Sequence, residues 1–195
     1  GSEATEAVLP RSEQIPGEEL AEGQRARVYV VEVRRSTRGV QVLISRSHPG
    51  LVRRLFELEV PEIFDGTVEI HGIAREAGSR SKISVGSAEP DVDAIGACVG
   101  PRGPRVAALV NELGREKIDI IEYSEDPATY IAHALAPATV LSVTMEDDNK
   151  TCRVVVPENQ LSLAIGREGQ NARLAAKLTG FKIDIKSDDG MGVAA

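Results

Sequence analysis

The chain has 195 residues, of which 42% are hydrophobic, and its formal net charge at pH 7 is −7. This length suffices for one large domain or for two to three small ones, and the composition is that of a globular protein. No apolar run approaches the ~20 residues that a membrane-spanning helix needs. Cys98 and Cys152 are too few and too far apart for a disulfide framework, and they share no metal-ligand spacing with the histidines. We therefore expect a cytoplasmic protein with reduced thiols and without a metal, a cofactor or a membrane segment.

The acidic net charge conceals a separation of charge along the chain. The Gly1-Ser2 start without a methionine is typical of a cloning scar and predicts an excised fragment. Residues 1–22 are acidic and interrupted by proline, which predicts a linker. Residues 25–54 contain eight arginines and one glutamate, whereas residues 118–148 contain seven acidic residues and no lysine or arginine. Because local basic surfaces attract phosphates whatever the total charge, the arginine-rich stretch favours a nucleic-acid partner over charge that only confers solubility.

The first predicted elements are strands. The β-branched runs 25–33 and 40–45 flank an arginine-rich turn and predict a hairpin, and a helical pattern follows over 50–58. A second hairpin is predicted within 67–86. Together these elements predict a small β-barrel with one short helix over residues 23–88. The sequence leaves open whether the second hairpin belongs to this barrel or to the next domain.

An internal repeat follows the predicted barrel. Lys117-Ile-Asp-Ile120 recurs as Lys182-Ile-Asp-Ile185, and each copy is preceded by a GxxG tetrapeptide. These are Gly100-Pro-Arg-Gly103, the first loop, and Gly166-Arg-Glu-Gly169, the second loop. Each loop separates two short apolar helical patterns, so the tetrapeptides are far more specific in this context than a lone GxxG is.

The second repeat has a complete pattern of elements. It runs helix, strand, strand, helix, GxxG, helix and strand, with the first helix predicted over 129–135 and the hairpin within 140–156. We predict a first repeat domain over 89–125, which shares the 67–86 hairpin if the barrel does not hold it. A second follows over 126–188, and the tail 189–195 is predicted to be disordered.

The spacing of these motifs favours single-stranded RNA as the ligand. Two glycines remove side chains where the chain turns between helices, so that a phosphodiester backbone can approach the main chain. The helix that starts at each loop directs free N–H groups and a partial positive charge at phosphates. Such units are KH modules, whose GxxG loop clamps about four nucleotides. The residues expected to contact RNA are Gly100, Pro101, Arg102, Gly103, Arg105 and Lys117 in the first repeat and Ile165, Gly166, Arg167, Glu168, Gly169, Gln170, Asn171, Arg173 and Lys182 in the second.

Two further expectations concern the surroundings of the loops. Aliphatic side chains at Ile95, Val99, Ile165 and Leu174 are candidates to line the base-binding groove, with packing in the core as the alternative for each. Glu168 repels phosphate, so it contacts a base or sugar or faces water. The short connection 122–127 between the repeats predicts a fixed mutual orientation of the two clamps.

The whole pattern resembles the RNA-binding region of the NusA family of bacterial transcription factors, over nearly everything from Leu9 to Lys186. The resemblance implies an α+β multidomain protein: a small OB-fold barrel of the S-one type, then two tandem type II KH α/β domains. It also implies association with RNA polymerase and roles in pausing, termination and antitermination. The matching stretches are Leu9-Pro-Arg-Ser, Val60-Pro-Glu-Ile63, Gly96-Ala-Cys-Val-Gly-Pro-Arg-Gly103, Lys117-Ile-Asp-Ile120, Ala134-Leu-Ala-Pro137 and Ala164-Ile-Gly-Arg-Glu-Gly-Gln-Asn171.

The resemblance sets the expected partners. These are single-stranded leader or antiterminator RNA, RNA polymerase through the full-length protein, and other antitermination factors, with the chain itself a monomer. The family's N-terminal polymerase-binding domain has no counterpart here, so we expect RNA binding without full docking on polymerase. Tyr29 is the only aromatic residue in the barrel strands, so the barrel is expected to assist through phosphate contacts from Arg27, Arg38 and Arg46.

Two other functional classes compete with this interpretation. One is a nuclease, because KH and S-one-type domains accompany exoribonuclease cores, but the chain offers neither a nucleophile–base pair nor the Gly-Lys-Ser/Thr ending of a P-loop. The other is a ribosomal protein, a class that is usually strongly basic. We expect no enzymatic activity.

Overall fold

The computed structural model of the protein describes residues 5–189 and 192–194. Within this part, no helix is long and apolar enough to cross a bilayer. The strands are β1 (Ala7–Val8), β2 (Tyr29–Ser36), β3 (Gly39–Ser45), β4 (Val68–Glu76), β5 (Arg80–Ser87), β6 (Lys117–Glu122), β7 (Ser142–Met145), β8 (Thr151–Val156), β9 (Lys182–Ser187) and β10 (Gly192–Ala194). The helices are α1 (Pro49–Glu59), α2 (Pro61–Phe64), α3 (Ala94–Val99), α4 (Pro104–Glu112), α5 (Pro127–Ala134), α6 (Leu161–Ile165) and α7 (Gln170–Thr179).

The N-terminal strands form an open sheet with the order β1-β3-β2. The closed barrel predicted over 23–88 is therefore not found among residues 5–189 and 192–194. Its second hairpin, β4–β5, pairs instead with β6, because Ile83 and Val85 of β5 are buried in one core with the helices that follow. Val33 of β2 and Val40 of β3 remain about half exposed.

The segment predicted as an acidic linker packs on this open sheet. Ile15 is buried in the first hydrophobic core, and the carbonyl oxygen of Glu13 accepts hydrogen bonds from the backbone N–H groups of Arg46 and Ser47. A single buried isoleucine in a polar stretch carries no periodicity, so sequence patterns do not reveal this contact. The predicted scar at Gly1-Ser2 lies outside the described residues.

Two units of similar element order follow. The first unit (α1 to β6) has the sheet β4-β5-β6, in which β5 and β6 are parallel and Ile83 pairs with Ile120. The second unit (α5 to β10) has the sheet β10-β9-β8-β7, in which Val154 pairs with Ile185. Each unit therefore contains the order helix, strand, strand, helix, helix, strand. Proline at the first turn of α1, α4 and α5 favours helix initiation at each of these points.

Residues 192–194 of the predicted disordered tail form β10. This strand pairs antiparallel with β9. Backbone hydrogen bonds to an open sheet edge depend little on side-chain identity, so composition does not predict the pairing.

The helices of the second unit cover one face of the first unit's sheet. Helix α7 packs on β4 and β5, and the Tyr130 hydroxyl donates a hydrogen bond to Ser84 Oγ at 2.8 Å. Lys82 is fully buried there, with Nζ 3.0 Å from Asp119 Oδ2 and 2.8 Å from the carbonyl oxygen of Ala136. These polar contacts fix the orientation of the two units.

Candidate nucleic-acid interface

The two GxxG loops have the same backbone conformation. Gly100 has φ 78° and ψ 161°, and Gly166 has φ 79° and ψ 168°. In each loop the closing glycine's N–H bonds the opening glycine's carbonyl, at 2.9 Å in the first and 3.1 Å in the second. The third and fourth residues are left-handed: φ is 68° at Arg102, 81° at Gly103, 55° at Glu168 and 74° at Gly169. The repeat seen in the sequence is therefore also a repeat of geometry.

The opening and closing glycines are required for different reasons. A Cβ atom at Gly100 would lie 2.9 Å from Arg105 Cγ, and one at Gly166 would lie 2.7 Å from the backbone nitrogen of Asn171. These glycines let the two helices of each pair approach. At Gly103, by contrast, a Cβ would meet nothing within 4 Å. The closing glycine thus borders open space, where a ligand backbone can lie.

The helices that begin at the loops lack capping side chains. Helix α1 is capped by His48, whose Nδ1 accepts from Gly50 N, and α5 is capped by Asp126, whose side chain accepts from Thr129 N. Helices α4 and α7, of comparable length, have no side-chain cap hydrogen bond. Their N-terminal N–H groups, together with the positive end of the helix dipole, form an anion-binding feature at each loop.

The cations around the first loop differ in availability. Arg102 is exposed, and within residues 5–189 it has no ion pair. Arg105 Nη1 donates to Glu62 Oε2 at 2.9 Å and to the carbonyl oxygen of Ala97 at 2.7 Å, so it braces α2 and α3 against α4. Arg102 is the cation of this loop that phosphate can reach without breaking a contact. Pro101 beside it is also exposed.

The side chains after the second loop reach the first unit. Gln170 Nε2 donates to Ser79 Oγ at 2.7 Å, and Arg173 Nη2 lies 2.6 Å from Glu76 Oε1. The hydrogen bond to Glu76 is the main cause of the raised pKa of Arg173. Arg167 is exposed and, like Arg102, has no ion pair in the described part of the chain.

The side chain of Asn171 lies inside the second unit and contributes to its structure. Its side chain is 1% exposed, and Nδ2 donates to the carbonyl oxygens of Leu135 at 3.1 Å and Ala164 at 2.9 Å. Its predicted side-chain contact with RNA therefore needs correction, because the amide is enclosed between α5, α6 and α7. Asn171 instead holds the helices that shape the second loop.

The lysines of the repeated Lys-Ile-Asp-Ile motif lie away from their own loops. Lys117 follows the end of α4 that is opposite the first loop, and a helix of nine residues is about 14 Å long. Its backbone N–H donates to the carbonyl oxygen of Ser79 at 3.0 Å, which places it near the second loop instead. Lys182 N–H bonds the carbonyl oxygen of Lys150 at the far end of the second unit.

The aliphatic side chains predicted to line the base-binding groove differ in burial. Ile95, Val99 and Ile165 are half-buried, as side chains that line a groove must be. Leu174 is fully buried, so it belongs to the core.

The three N-terminal arginines that are predicted to contact phosphates differ in their exposure to solvent. Arg46 is 2% exposed and forms ion pairs with Glu18 at 2.6 Å and Glu112 at 3.1 Å. Burial excludes it from RNA contact, which corrects that prediction. Arg38 is exposed, and Arg27 pairs loosely with Glu59 at 3.5 Å, so both can reach a ligand.

Sequence reasoning did not identify the β4–β5 turn as part of the site. Glu76 and Ser79 are more than ninety residues from the partners that they contact after the second loop. The hairpin signal predicts the turn, but no local pattern reports what packs against it.

The chain matches two protein-family models, one for each repeat unit. The model for the NusA-like first KH domain matches residues 46–123, and the model for the NusA-like second KH domain matches residues 127–191. Together they match most of the chain. The crystal structure of APE1850 has a TM-score of 0.50 and 24% sequence identity, covering 69% of this chain and 93% of that one; this likeness concerns the fold alone.

Several relatives bear the name transcription termination/antitermination protein NusA. The protein from Halalkalibacterium halodurans is 60% identical over 94% of this chain and 48% of its own length. That from Bacillus subtilis is 58% identical over 94% and 49%, and that from Mycobacterium bovis is 57% identical over 96% and 54%. The chain thus spans about half the length of these relatives. With both KH domain models matched in order and these identities across nearly all of its residues, the chain belongs to the NusA family of transcription factors.

Proposed function

We propose that the chain binds single-stranded RNA sequence-selectively through two tandem KH clamps. It acts within a cytoplasmic transcription factor that modulates pausing, termination and antitermination by RNA polymerase. Polymerase and other antitermination factors are engaged through the full-length protein, and leader-type transcripts supply the RNA. The observation that carries the proposal is the pair of glycine loops with identical backbone conformation at uncapped helix N-termini.

The chemistry of each loop suits a phosphodiester rather than a small anion. A Cβ at Gly103 would meet nothing within 4 Å, and one at Gly169 would meet only the flexible end of Arg173, at 4.0 Å. A polymer backbone can therefore pass close to the main chain at both glycines. Exposed Arg102 and Arg167 add one mobile cation to each loop. Half-buried aliphatic side chains beside the loops offer apolar surface to the bases. On the N-terminal sheet, Arg38 and Arg27 can assist through phosphates.

The fixed orientation of the units supports joint action of the two clamps. RNA held by one loop is presented to the other at high effective concentration, because the buried contacts of Lys82 and Tyr130 oppose relative movement. With about four nucleotides per loop, the bound strand is roughly eight or more nucleotides long.

Aspartate at the closing glycines tests this proposal. Gly103→Asp and Gly169→Asp place a carboxylate at open, left-handed N-cap positions, which aspartate accepts better than most residues. We expect each variant to bind a fluorescein-labelled RNA pool of about twelve nucleotides at least about tenfold more weakly than the wild type does. The reason is that the introduced carboxylate repels the RNA phosphates. Fluorescence anisotropy measures the affinity, and far-UV circular dichroism should stay native.

The chain contains matched controls for these substitutions. Gly114 follows α4 and Gly180 follows α7; both have φ near 70–80° (68° and 78°), and a Cβ at either would meet nothing within 4 Å. Gly114→Asp and Gly180→Asp add the same charge at the opposite ends of the same helices, so they should leave affinity within about twofold, as distant surface changes do. Equal affinities for all four variants and the wild type would refute the clamp assignment.

A further inference from the structure

A cleft of about 390 Å³ lies between the β4–β5 turn of the first unit and the second loop. Its volume is within the range of small-molecule sites, which starts at about 300 Å³. The cleft adjoins the second loop, where the proposed function places the RNA backbone. Its polar lining comes from both units: Glu76 and Ser79 from the turn, and Arg167, Glu168, Gln170 and Arg173 from the second loop and α7.

Several polar groups of the cleft have unused hydrogen-bonding capacity. Ser79 Oγ accepts from Gln170 Nε2, so the hydroxyl proton of Ser79 and the side-chain oxygen Oε1 of Gln170 remain without a partner in the described part of the chain. Glu76 Oε1 pairs with Arg173 and holds the guanidinium beside the cleft, whereas Glu76 Oε2 is buried and a ligand cannot reach it. One spare donor and one spare acceptor therefore lie around the cleft.

The turn is held rigidly in this position. Gly78 N–H donates to Glu116 Oε1 at 2.7 Å, and Lys117 N–H donates to the carbonyl oxygen of Ser79 at 3.0 Å. Glu116 is itself paired with Arg75 at 3.1 Å, with both side chains fully buried. A ligand that uses Ser79 therefore loses little entropy in ordering the turn.

The first loop lacks this arrangement. Counted from the opening glycine, the positions of Gln170 and Arg173 correspond to Pro104 and Ala107. Neither proline nor alanine offers a polar side chain. The two clamps therefore differ, although their backbones agree.

The charge around the cleft indicates which part of a nucleotide it suits. Arg167 and Arg173 are balanced by Glu76 and Glu168, so the lining is formally neutral. A bare phosphate gains little from such a site, whereas the mixed donors and acceptors match the edge of a base or a ribose 2′-hydroxyl.

We propose that this cleft binds one nucleotide of the RNA held by the second loop, so that Ser79 of the first unit completes the second clamp beside the Arg173 that Glu76 positions. This inference rests on the proposed function. It makes the β4–β5 turn a part of RNA recognition, with Ser79 as a contact residue.

Ser79→Ala tests the inference when it is combined with the two aspartate variants. Ser79 is exposed, and Ser79→Ala keeps the backbone hydrogen bond from Lys117, so the turn stays in place and the change removes only the hydroxyl with its contact to Gln170. In Gly103→Asp, where binding depends on the second clamp, we expect Ser79→Ala to weaken binding of the labelled RNA pool by about fivefold, the effect of one net hydrogen bond. In Gly169→Asp, the same change should have no effect beyond about twofold. Ser142→Ala, on the exposed part of β7, is the control in both backgrounds.

The outcomes separate the two proposals. Equal effects of Ser79→Ala in both backgrounds, or none in Gly103→Asp, would overturn this inference and leave the clamps in place. Unchanged binding by both aspartate variants alone would overturn the proposed function and this inference with it. A DNA pool of the same length identifies the contact: a loss confined to RNA assigns it to the 2′-hydroxyl, and an equal loss on DNA assigns it to a base.

Discussion

At the scale of single residues, the opening and closing glycines of a loop have different tolerances. Gly166 has φ 79° and ψ 168°, backbone angles that essentially only glycine adopts. A Cβ added at Gly166 would also lie only 2.7 Å from the backbone nitrogen of Asn171. We expect Gly166→Ala to lower the free energy of unfolding by about 3 kcal/mol or more, since the clash adds to backbone strain. Gly169→Ala, left-handed but open, should cost about 1 kcal/mol. Urea unfolding measures both, and equal losses would contradict this distinction.

Asn171 leads to a second prediction about stability. Removing its amide leaves the carbonyl oxygens of Leu135 and Ala164 without their donor in a buried site. Asn171→Ala should therefore lower the free energy of unfolding by about 1–3 kcal/mol. Asn111→Ala, at an exposed position of α4, should stay within about 0.5 kcal/mol in the same urea titration. Equal losses of unfolding free energy in Asn171→Ala and Asn111→Ala would show that the hydrogen bonds of the Asn171 amide do not stabilise the fold.

At the scale of elements, Arg46 joins the N-terminal segment, the open sheet and the end of α4. It pairs with Glu18 and Glu112 and also donates to the carbonyl oxygens of Arg27 and Glu112. We expect Arg46→Met to lower the free energy of unfolding by about 3 kcal/mol, the low end for a broken buried pair because both carboxylates remain partly exposed.

The same variant tests whether Arg46 has any role in binding. RNA affinity, measured by anisotropy while the protein is folded, should be unchanged, because the guanidinium is not accessible. Arg38→Met should show the reverse pattern, with stability retained and affinity slightly reduced. A loss of affinity in folded Arg46→Met would contradict the structural assignment.

The elements that sequence predicts well are those whose signals are local. The glycine loops, the Lys-Ile-Asp-Ile strands and the helix over 50–58 each depend on residues within a few positions of one another, and the structure contains them. The predicted closed barrel is not found in the described part of the chain, because β5 pairs with β6, some thirty residues later. Burial of Arg46 and Asn171 likewise depends on distant partners, so residue type alone suggested RNA contacts that their positions exclude.

At the scale of the whole molecule, the interface between the units contains two titratable side chains that form an ion pair, Asp119 and Lys82. Burial disfavours the charged form of Asp119, but hydrogen bonds and charges from Arg80 and Lys82 outweigh it, so the pKa of Asp119 lies below its ordinary value. Burial lowers the pKa of Lys82. The folded protein therefore binds the Asp119 proton less tightly than the unfolded chain does.

This difference gives stability a defined pH dependence. The contribution of Asp119 is complete above the ordinary carboxyl pKa of about 4 and is lost as the pH falls through the lower folded value. Urea unfolding between about pH 6 and pH 3 should therefore show a shallower acid decline for Asp119→Asn than for the wild type. Parallel curves would contradict this account of the interface.

The salt dependence of RNA binding reports on the whole molecule, because its slope depends on the number of phosphates that both loops contact together. The logarithm of the association constant should fall linearly with the logarithm of salt concentration, with a slope of about −0.7 for each contacted phosphate. Gly169→Asp should have a smaller slope than the wild type, since it loses the contacts of one loop. An unchanged slope would mean that the second loop does not contact phosphates.

RNA that lies against the main chain at both glycine loops must change the surroundings of the backbone N–H groups there. Backbone amide chemical-shift mapping of the isotope-labelled chain, titrated with an unstructured RNA of about twelve nucleotides, tests this directly. We expect the largest shifts at residues 100–103 and 166–169 and in the first turns of α4 and α7. Saturable binding that leaves both loops unshifted, with changes confined to the β2–β3 hairpin or to residues 118–148, would show that RNA does not lie against the loops.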